Sequence, residues 1–403
     1  MTRIDRNSFA TLEFELSWTS ARARHRERFL ARKVNIWRDF FPPGMEEALT
    51  GLGIGDEIHL DYAPGECVPG HREQDVRRLE RGRFKPPRDG QPVSGPRFGR
   101  FYPKGFLSDL VGIYAQNMYP FRVIDLDDNE FTADLNHPLA AYPLSVRVYV
   151  HNVAVKDSDV GGRCSVWMEE LADNGPGMQV RWQNQPTDFE LQEPLAREDE
   201  QADSTFYIRP RMVGHVDTQA SDHLQTEYAR LITPGMQVLD LMSSLQSHLP
   251  VDMDLEVTGL GMNREEMKAN PALDHHVVQD INVHPGLPFP DASFDLVVCS
   301  LSIEYVIRPQ MFVAQMRRVL RPGGRVILSF SNRWFPPKVT RLWTNLHEFE
   351  RLGLIVELLL RDQGFSGLET VTVRNWWRPV EDKYYGQLWS SDPVYVVSAT
   401  EQG

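Results

Sequence analysis

The stretch VLDLMSSLQSHLP, residues 238–250, starts as a buried strand and then departs from what should follow it. Val238, Leu239 and Leu241 set three apolar positions around one acid, Asp240, as in a strand covered on both faces. In a doubly wound sheet such a strand runs into a tight turn, where glycine permits close backbone approach. Here the turn reads Met242, Ser243, Ser244, Leu245, Gln246 and contains no glycine. Whether it still holds a small molecule decides how the second half of the chain is read.

Working outward, helix and strand patterns alternate from about residue 205 to the end. In DTQASDHLQTEYARLI (217–232), Ala220, Leu224, Tyr228 and Leu231 recur at helical spacing, with Asp217 or Thr218 as the N-cap. The strands QVLDL and LEVTGLG follow, then a helix opening at Asn263 and the strand HVVQD. FDLVVCS (294–300) is a continuous apolar run, expected of a strand buried on both faces. In PQMFVAQMRRVLRPGG, Phe312, Met316, Val319 and Leu320 share a helical face that Pro322-Gly323-Gly324 ends. RVILSF and, at the end of the chain, PVYVVSA complete the set. Strands separated by helix-length segments predict an α/β, doubly wound, mostly parallel sheet over 205–403.

The first part, 1–153, reads as a smaller, mainly β domain, with period-two alternation in ATLEFELSW, DEIHLDY, YPFRVIDL, EFTADL and LSVRVYVHNV. Within it, RGRFKPPRDGQPVSGPRFGRFYPKG (81–105) is dense in Gly, Pro and Arg and predicts an irregular inserted loop. The arginine-rich ARARHRERFLARK (21–33), with Phe29, Leu30 and Val34 nearby, predicts a solvated helix face rather than an anion-binding arm. Residues 154–204 predict a bridging linker, acidic and mobile over QEPLAREDEQADS.

At 403 residues, 41% hydrophobic and 25% charged, the chain suits two globular domains. A formal net charge of −13 argues against nucleic acid as a partner. Three scattered cysteines, Cys67, Cys164 and Cys299, argue for a reducing compartment and against a metal site. With no apolar leader in MTRIDRNSFATLEFE and no run long enough to span a bilayer, a cytoplasmic protein without membrane partners is expected.

The run VLDL, VTGLGMN, VVQDIN, LPFPDASFDLVVCS and MRRVLRPGGRVILSFSN resembles the class I S-adenosylmethionine-dependent methyltransferases over roughly 205–400. The resemblance implies a Rossmann-like fold and S-adenosylmethionine as cofactor. It places Asp240 near the cofactor ammonium, Asp280 near the adenine amine and Ile281 against the ring. Two positions depart from the family. The turn carries Ser243 and Ser244, whose hydroxyls are expected to bond the cofactor. The second strand carries Gly259 and ends on Gly261, where an acid normally grips the ribose. Asn263 then offers either a substitute acceptor or only a helix cap, and Met262 a cover for adenine. The site is either a variant or a dead one.

Methyl transfer from a sulfonium requires an aligned nucleophile and, for a hydroxyl, a base. Polar residues at the sheet's carboxyl edge are the candidates. His215, Glu304 and Tyr305 are read as catalytic, and Tyr207, Arg211, Asp217, Arg333 and His347 as acceptor-binding. Cys299 reads as an inert core thiol. FPPGMEEALTGLGIGDEIHLDYAPGE (41–66) and DLNHPLAAYPLSVRVYVHNV (134–153) resemble SlyD-like FKBP-type prolyl isomerases. Cys67 and Val68 stand where that family has a tyrosine, so isomerase activity is not expected. Docking, homodimer formation and substrate gating remain open as roles. For the whole chain, the leading expectation is a methyltransferase acting on a small sulfur or oxygen nucleophile. A catalytically inactive binding or chaperone-like protein, and a protein methyltransferase whose first domain recruits substrate, are the alternatives.

Overall fold

The computed structural model describes residues 2–86, 95–156, 164–173, 175–191 and 193–403. Two compact units emerge: Met1–Leu191 with His347–Gly353, and Gln192–Leu346 with Leu354–Gly403.

In the first unit, strands β1 (Ser8–Thr19), β2 (Ala23–Asn35), β3 (Glu57–Tyr62) and β8 (Leu144–Val155) make an antiparallel sheet in the order β2-β1-β8-β3. Leu12, Phe14, Leu16 and Trp18 of β1 point into its core, as the alternation predicts. The arginine-rich stretch is strand β2, not a helix. His25, Glu27 and Phe29 are buried on one face, while Arg26 and Arg28 pair with Glu15 and Glu13 across the ladder at 3.1 and 2.6 Å. Cross-strand ion pairs satisfy charges that helical spacing would have left to solvent.

Between these strands, β4 (Val76–Glu80), β5 (Phe101–Pro103), β6 (Pro120–Leu126) and β7 (Glu130–Asp134) form a second sheet, β4-β7-β6-β5, with its own core. Apart from β5 and short helical turns, the described residues of 81–105 are irregular as expected, but the stretch contributes to the core rather than lying outside it. Phe84 and Tyr102 sit in that core, 4.9 Å apart edge to face, and Phe101 is buried on β5. Residues 87–94 of that stretch lie outside the described ones.

The expected linker is divided between the units. Helix α1 (Met45–Leu49) and, from the expected linker, α2 (Trp167–Ala172) pack into the first core through Met45, Trp167 and Leu171. The acidic stretch from 193 belongs to the second unit and is anchored there. Leu342 and Arg341 donate backbone hydrogen bonds to the carbonyls of Pro194 and Ala196, both at 2.8 Å. The ammonium of Lys338, wholly buried, donates to the Asp199 and Gln201 carbonyls and pairs with Asp203 at 3.3 Å. Residues 157–163 fall outside the described ones.

The second unit has helices α3 (Asp203–Phe206), α4 (Thr218–Ala229), α5 (Arg264–Ala269), α6 (Pro309–Val319), α7 (Arg341–Thr344) and, from Leu354 on, α8 (Glu348–Asp362). Its strands are β9 (Gln237–Leu241), β10 (Glu256–Gly261), β11 (His275–Val278), β12 (Phe294–Ser300), β13 (Leu320–Ser331), β14 (Phe365–Arg374) and β15 (Val394–Glu401). They run in the order β11-β10-β9-β12-β13-β15-β14. The first five are parallel and β15 is antiparallel to both neighbours. Chain order reverses between β9 and β12, which makes the carboxyl ends of those strands the place for a ligand. Leu296 to Cys299 are fully buried, and burial pushes the Cys299 thiol well above its ordinary range, as befits a core residue. Asp217 caps α4 by accepting from the Ala220 amide at 3.0 Å. Among the described residues no helix is long and apolar enough to cross a membrane.

Candidate active site

A cavity of about 380 Å³ opens at the carboxyl ends of β9 to β13. Its floor comes from Asp240 and Met242 to Ser244 after β9, Gly261 to Asn263 after β10, and Asp280 to Asn282 after β11. Its other wall comes from Ser300 to Ser302 and Tyr305 after β12, Arg333 to Phe335 after β13, and Tyr207, Arg211 and His215 from the segment before α4.

The turn closes without its own glycine. Met242 takes the left-handed conformation at φ 59°. This costs a side-chain-bearing residue about 1–2 kcal/mol. The Ser243 amide then donates to the Leu260 carbonyl at 2.9 Å, drawing the turn onto β10. A side chain at Gly261 would run into the Ser243 carbonyl oxygen and approach the Met267 sulfur. The need for glycine has moved from the turn to the strand beside it. Gly259 packs under Leu273, where a Cβ would stand 2.6 Å from its Cδ1, and does not line the cavity.

The serine hydroxyls are turned inward, contrary to the expectation that they meet a cofactor. Ser243 and Ser247 both donate to Asp240 Oδ2 at 2.6 Å, and Ser244 donates to Glu266 Oε2 at 2.6 Å. Asp240 is only 2% exposed; burial pushes its carboxyl up to about 6, against the two serine bonds that pull it down. Glu266 also accepts from the Arg211 amide at 2.7 Å, tying the segment before α4 to α5. Asn263 is the helix cap of the two readings: its oxygen accepts from the Glu265 and Glu266 amides. Its amide nitrogen donates to the Tyr207 carbonyl at 3.0 Å. Asp280 accepts from the Asn282 and Val283 amides through one oxygen, and Met262 and Ile281 line the cavity beside it.

On the opposite wall, Tyr305 accepts a hydrogen bond from the Phe335 amide at 2.8 Å, and burial raises its phenol well above the usual range. His215 stands edge-on to Phe335 at 5.6 Å. Burial lowers its imidazole; Glu266 opposes this, while Arg211 and Arg333 reinforce it. It is therefore neutral near pH 7, as a proton acceptor must be. Arg333 pairs with Asp392 at 3.1 Å and lies over the Tyr384 ring at 4.8 Å.

Three further expected residues lie elsewhere. Glu304 is 1% exposed and off the cavity, its carbonyl accepting from the Thr340 amide and hydroxyl. Asp217 is spent on the α4 cap, Ser391 and Arg378. His347 stacks on Phe349 at the head of α8, among residues of the first unit. Conversely, the cavity is also lined by Asp203, Gln246, His248, Asn282, Phe335, Lys383 and Tyr384. Asn282 closes the VVQDIN string and was within reach of a motif reading; its amide bridges Asp203 and the Tyr305 carbonyl, both at 3.0 Å. Lys383 and Tyr384 carry no periodicity, and only the tertiary fold brings them in.

Residues 234–328 match the family model described as "Methyltransferase domain". The ubiquinone/menaquinone biosynthesis C-methyltransferase UbiE of Laribacter hongkongensis is 27% identical over 141 residues, covering 32% of this chain and 57% of that protein. The demethylmenaquinone methyltransferase of Renibacterium salmoninarum is 33% identical over 111 residues, covering 26% and 45% respectively. The chain thus spans about half the length of the curated relatives it matches. Among solved structures, the YcgJ protein of Bacillus subtilis aligns with TM-score 0.31 at 12% identity, over 45% of this chain and 98% of that one. An N-methyltransferase of Haemonchus contortus, solved with phosphomonomethylethanolamine and S-adenosylhomocysteine, aligns with TM-score 0.33 at 14% identity, over 45% and 53%.

Proposed function

We propose that the chain is an S-adenosylmethionine-dependent methyltransferase acting on a small sulfur or oxygen nucleophile, a reading supported by the match of residues 234–328 to the methyltransferase-domain model. The observation that carries this reading is one continuous cavity bounded by the β9 turn, the β10 and β11 ends, and a wall containing His215. Its volume of about 380 Å³ lies within the usual range for a small-molecule site.

The residues present fit the cofactor. Gly261 leaves the backbone bare beside the turn, Met262 and Ile281 offer apolar surface for a flat base, and Asp240 and Asp280 offer carboxylates. When bound, S-adenosylmethionine supplies an electrophilic methyl group on sulfur. The protein's part is to hold the acceptor in line and dry, with neutral His215 receiving its proton. Tyr305, whose oxygen accepts from the Phe335 amide, shapes the wall and holds its own proton.

A ring carbon as acceptor is the second reading. It is favoured by the aromatic wall and by the names of the curated relatives, which are C-methyltransferases of quinone biosynthesis. For the first unit we propose docking, homodimer formation or gating, a role supported by its SlyD-like stretches; Cys67 and Val68 argue against prolyl isomerase activity. A soluble, cytoplasmic setting completes the proposal.

Calorimetry with S-adenosylhomocysteine tests it. Ligand at about 100 times its dissociation constant should stabilise the protein by about 2.7 kcal/mol. No heat, together with an unmoved melting curve at millimolar ligand, refutes the methyltransferase reading.

A further inference from the structure

Arg211 stands apart from Arg333, the other arginine lining the cavity, and from two arginines outside the lining. Arg333 pairs with Asp392 at 3.1 Å, Arg378 with Asp392 at 2.5 Å and Arg197 with Asp203 at 2.7 Å. The Arg211 guanidinium, by contrast, donates one hydrogen bond, to the Phe206 carbonyl at 3.2 Å, and meets no carboxylate among the described residues. It is half-buried and lines the cavity. Three rings frame it: Phe206 at 4.7 Å, Phe335 at 5.0 Å and Tyr207 at 5.5 Å from centroid to guanidinium carbon. Its backbone amide is fixed to Glu266, so the guanidinium is aimed by the chain as well as by the rings.

A half-buried guanidinium held by ring faces and a single carbonyl keeps donors to spare for a ligand in the cavity. A guanidinium fork presents donors that match a carboxylate or phenolate. Beside it, Tyr305 and Phe335 lie 6.0 Å apart with planes tilted by only 30°, giving a wall suited to a flat partner. We propose that Arg211 with Tyr305 and Phe335 forms the acceptor subsite for a planar, anionic aromatic molecule. This rests on the methyltransferase reading and names its substrate class.

The probe is 4-hydroxybenzoate, with the uncharged 4-hydroxybenzamide as comparison, both titrated calorimetrically into protein saturated with S-adenosylhomocysteine. The acid should bind about tenfold or more tightly than the amide, the scale of one lost charge-assisted contact. Arg211→Gln should abolish that preference while leaving the melting temperature and S-adenosylhomocysteine affinity unchanged. Arg211→Lys should retain part of it. Equal binding of acid and amide, an acid preference that survives Arg211→Gln, or no binding of either probe at millimolar concentration overturns the proposal. So does a loss confined to S-adenosylhomocysteine, which would assign Arg211 to the cofactor's own carboxylate. Wild-type protein that takes no S-adenosylhomocysteine would instead sink the underlying methyltransferase reading.

Discussion

Replacing Ser243 by alanine separates a serine that holds the turn from one that touches a ligand. Its hydroxyl is one of two that donate to Asp240 Oδ2 at 2.6 Å. Burial has pushed that carboxyl from 3.8 up to about 6. Because the folded value lies above the unfolded one, the stability Asp240 contributes is full below about pH 4 and is lost as pH rises through about 6. The loss is on the order of 3 kcal/mol. A hydrogen bond to a buried charge contributes about 1.5–3 kcal/mol, so losing one should raise Asp240 by a further one to two units, roughly. Ser243→Ala should therefore be about 1.5–3 kcal/mol less stable than wild type near pH 8.5, and much closer to it near pH 5, where both carboxyls are protonated. Urea unfolding at the two pH values measures this. A destabilisation of the same size at both would refute the coupling between the turn and Asp240.

Two more outcomes follow from the same geometry. Gly261→Ala sets a methyl group against the Ser243 carbonyl, so the turn must shift. Overpacking of this kind costs about 1–3 kcal/mol, and S-adenosylhomocysteine affinity should fall with it; a variant that melts and binds like wild type would show that the turn does not depend on the bare strand. His215→Asn should keep cofactor affinity and lower turnover. In wild type the acid limb of the rate profile should lie below the ordinary imidazole value, because burial lowers His215, and that limb should vanish in the variant. An unchanged profile would remove His215 from the chemistry.

The central strands of the second unit's sheet were legible because their own sequences mark them as buried. FDLVVCS needs no partner to be read as a covered strand, and Asp217 at the head of an apolar period reads as a cap. What escaped depends on partners remote in sequence. The arginines of β2 look helical until Glu13 and Glu15 of β1 are placed opposite them. The acidic stretch after 193 looks like a linker until Lys338, more than a hundred residues on, is found beneath it. Gly- and Pro-rich 81–105 conceals Phe84, Phe101 and Tyr102, whose spacing fits no regular period because strand β5 is only three residues long. At the site, the residue types at the strand ends were readable, but the direction of a serine hydroxyl was not. Ser243 meets an acid three residues away, and Ser244 one twenty-two residues away.

These contacts favour a rebuilt turn over a decayed one. In a decayed turn, Met242, Ser243 and Ser244 would be independent replacements, each tolerated alone. Here they are mutually dependent. Met242 at φ 59° carries the backbone turn that glycine would ordinarily make, and this lets the Ser243 amide reach Leu260. That approach is open only because Gly261 has no side chain, although glycine inside a strand costs about 0.5–1 kcal/mol relative to alanine. Ser243 and Ser247 then partly offset the burial of Asp240, and Ser244 braces Glu266, which in turn holds the backbone of Arg211. A strained methionine, a costly glycine and a buried acid are each unfavourable in isolation. Together they keep a carboxylate, a bare strand end and a positioned cation around one cavity, which is the arrangement a bound sulfonium cofactor and its acceptor would use.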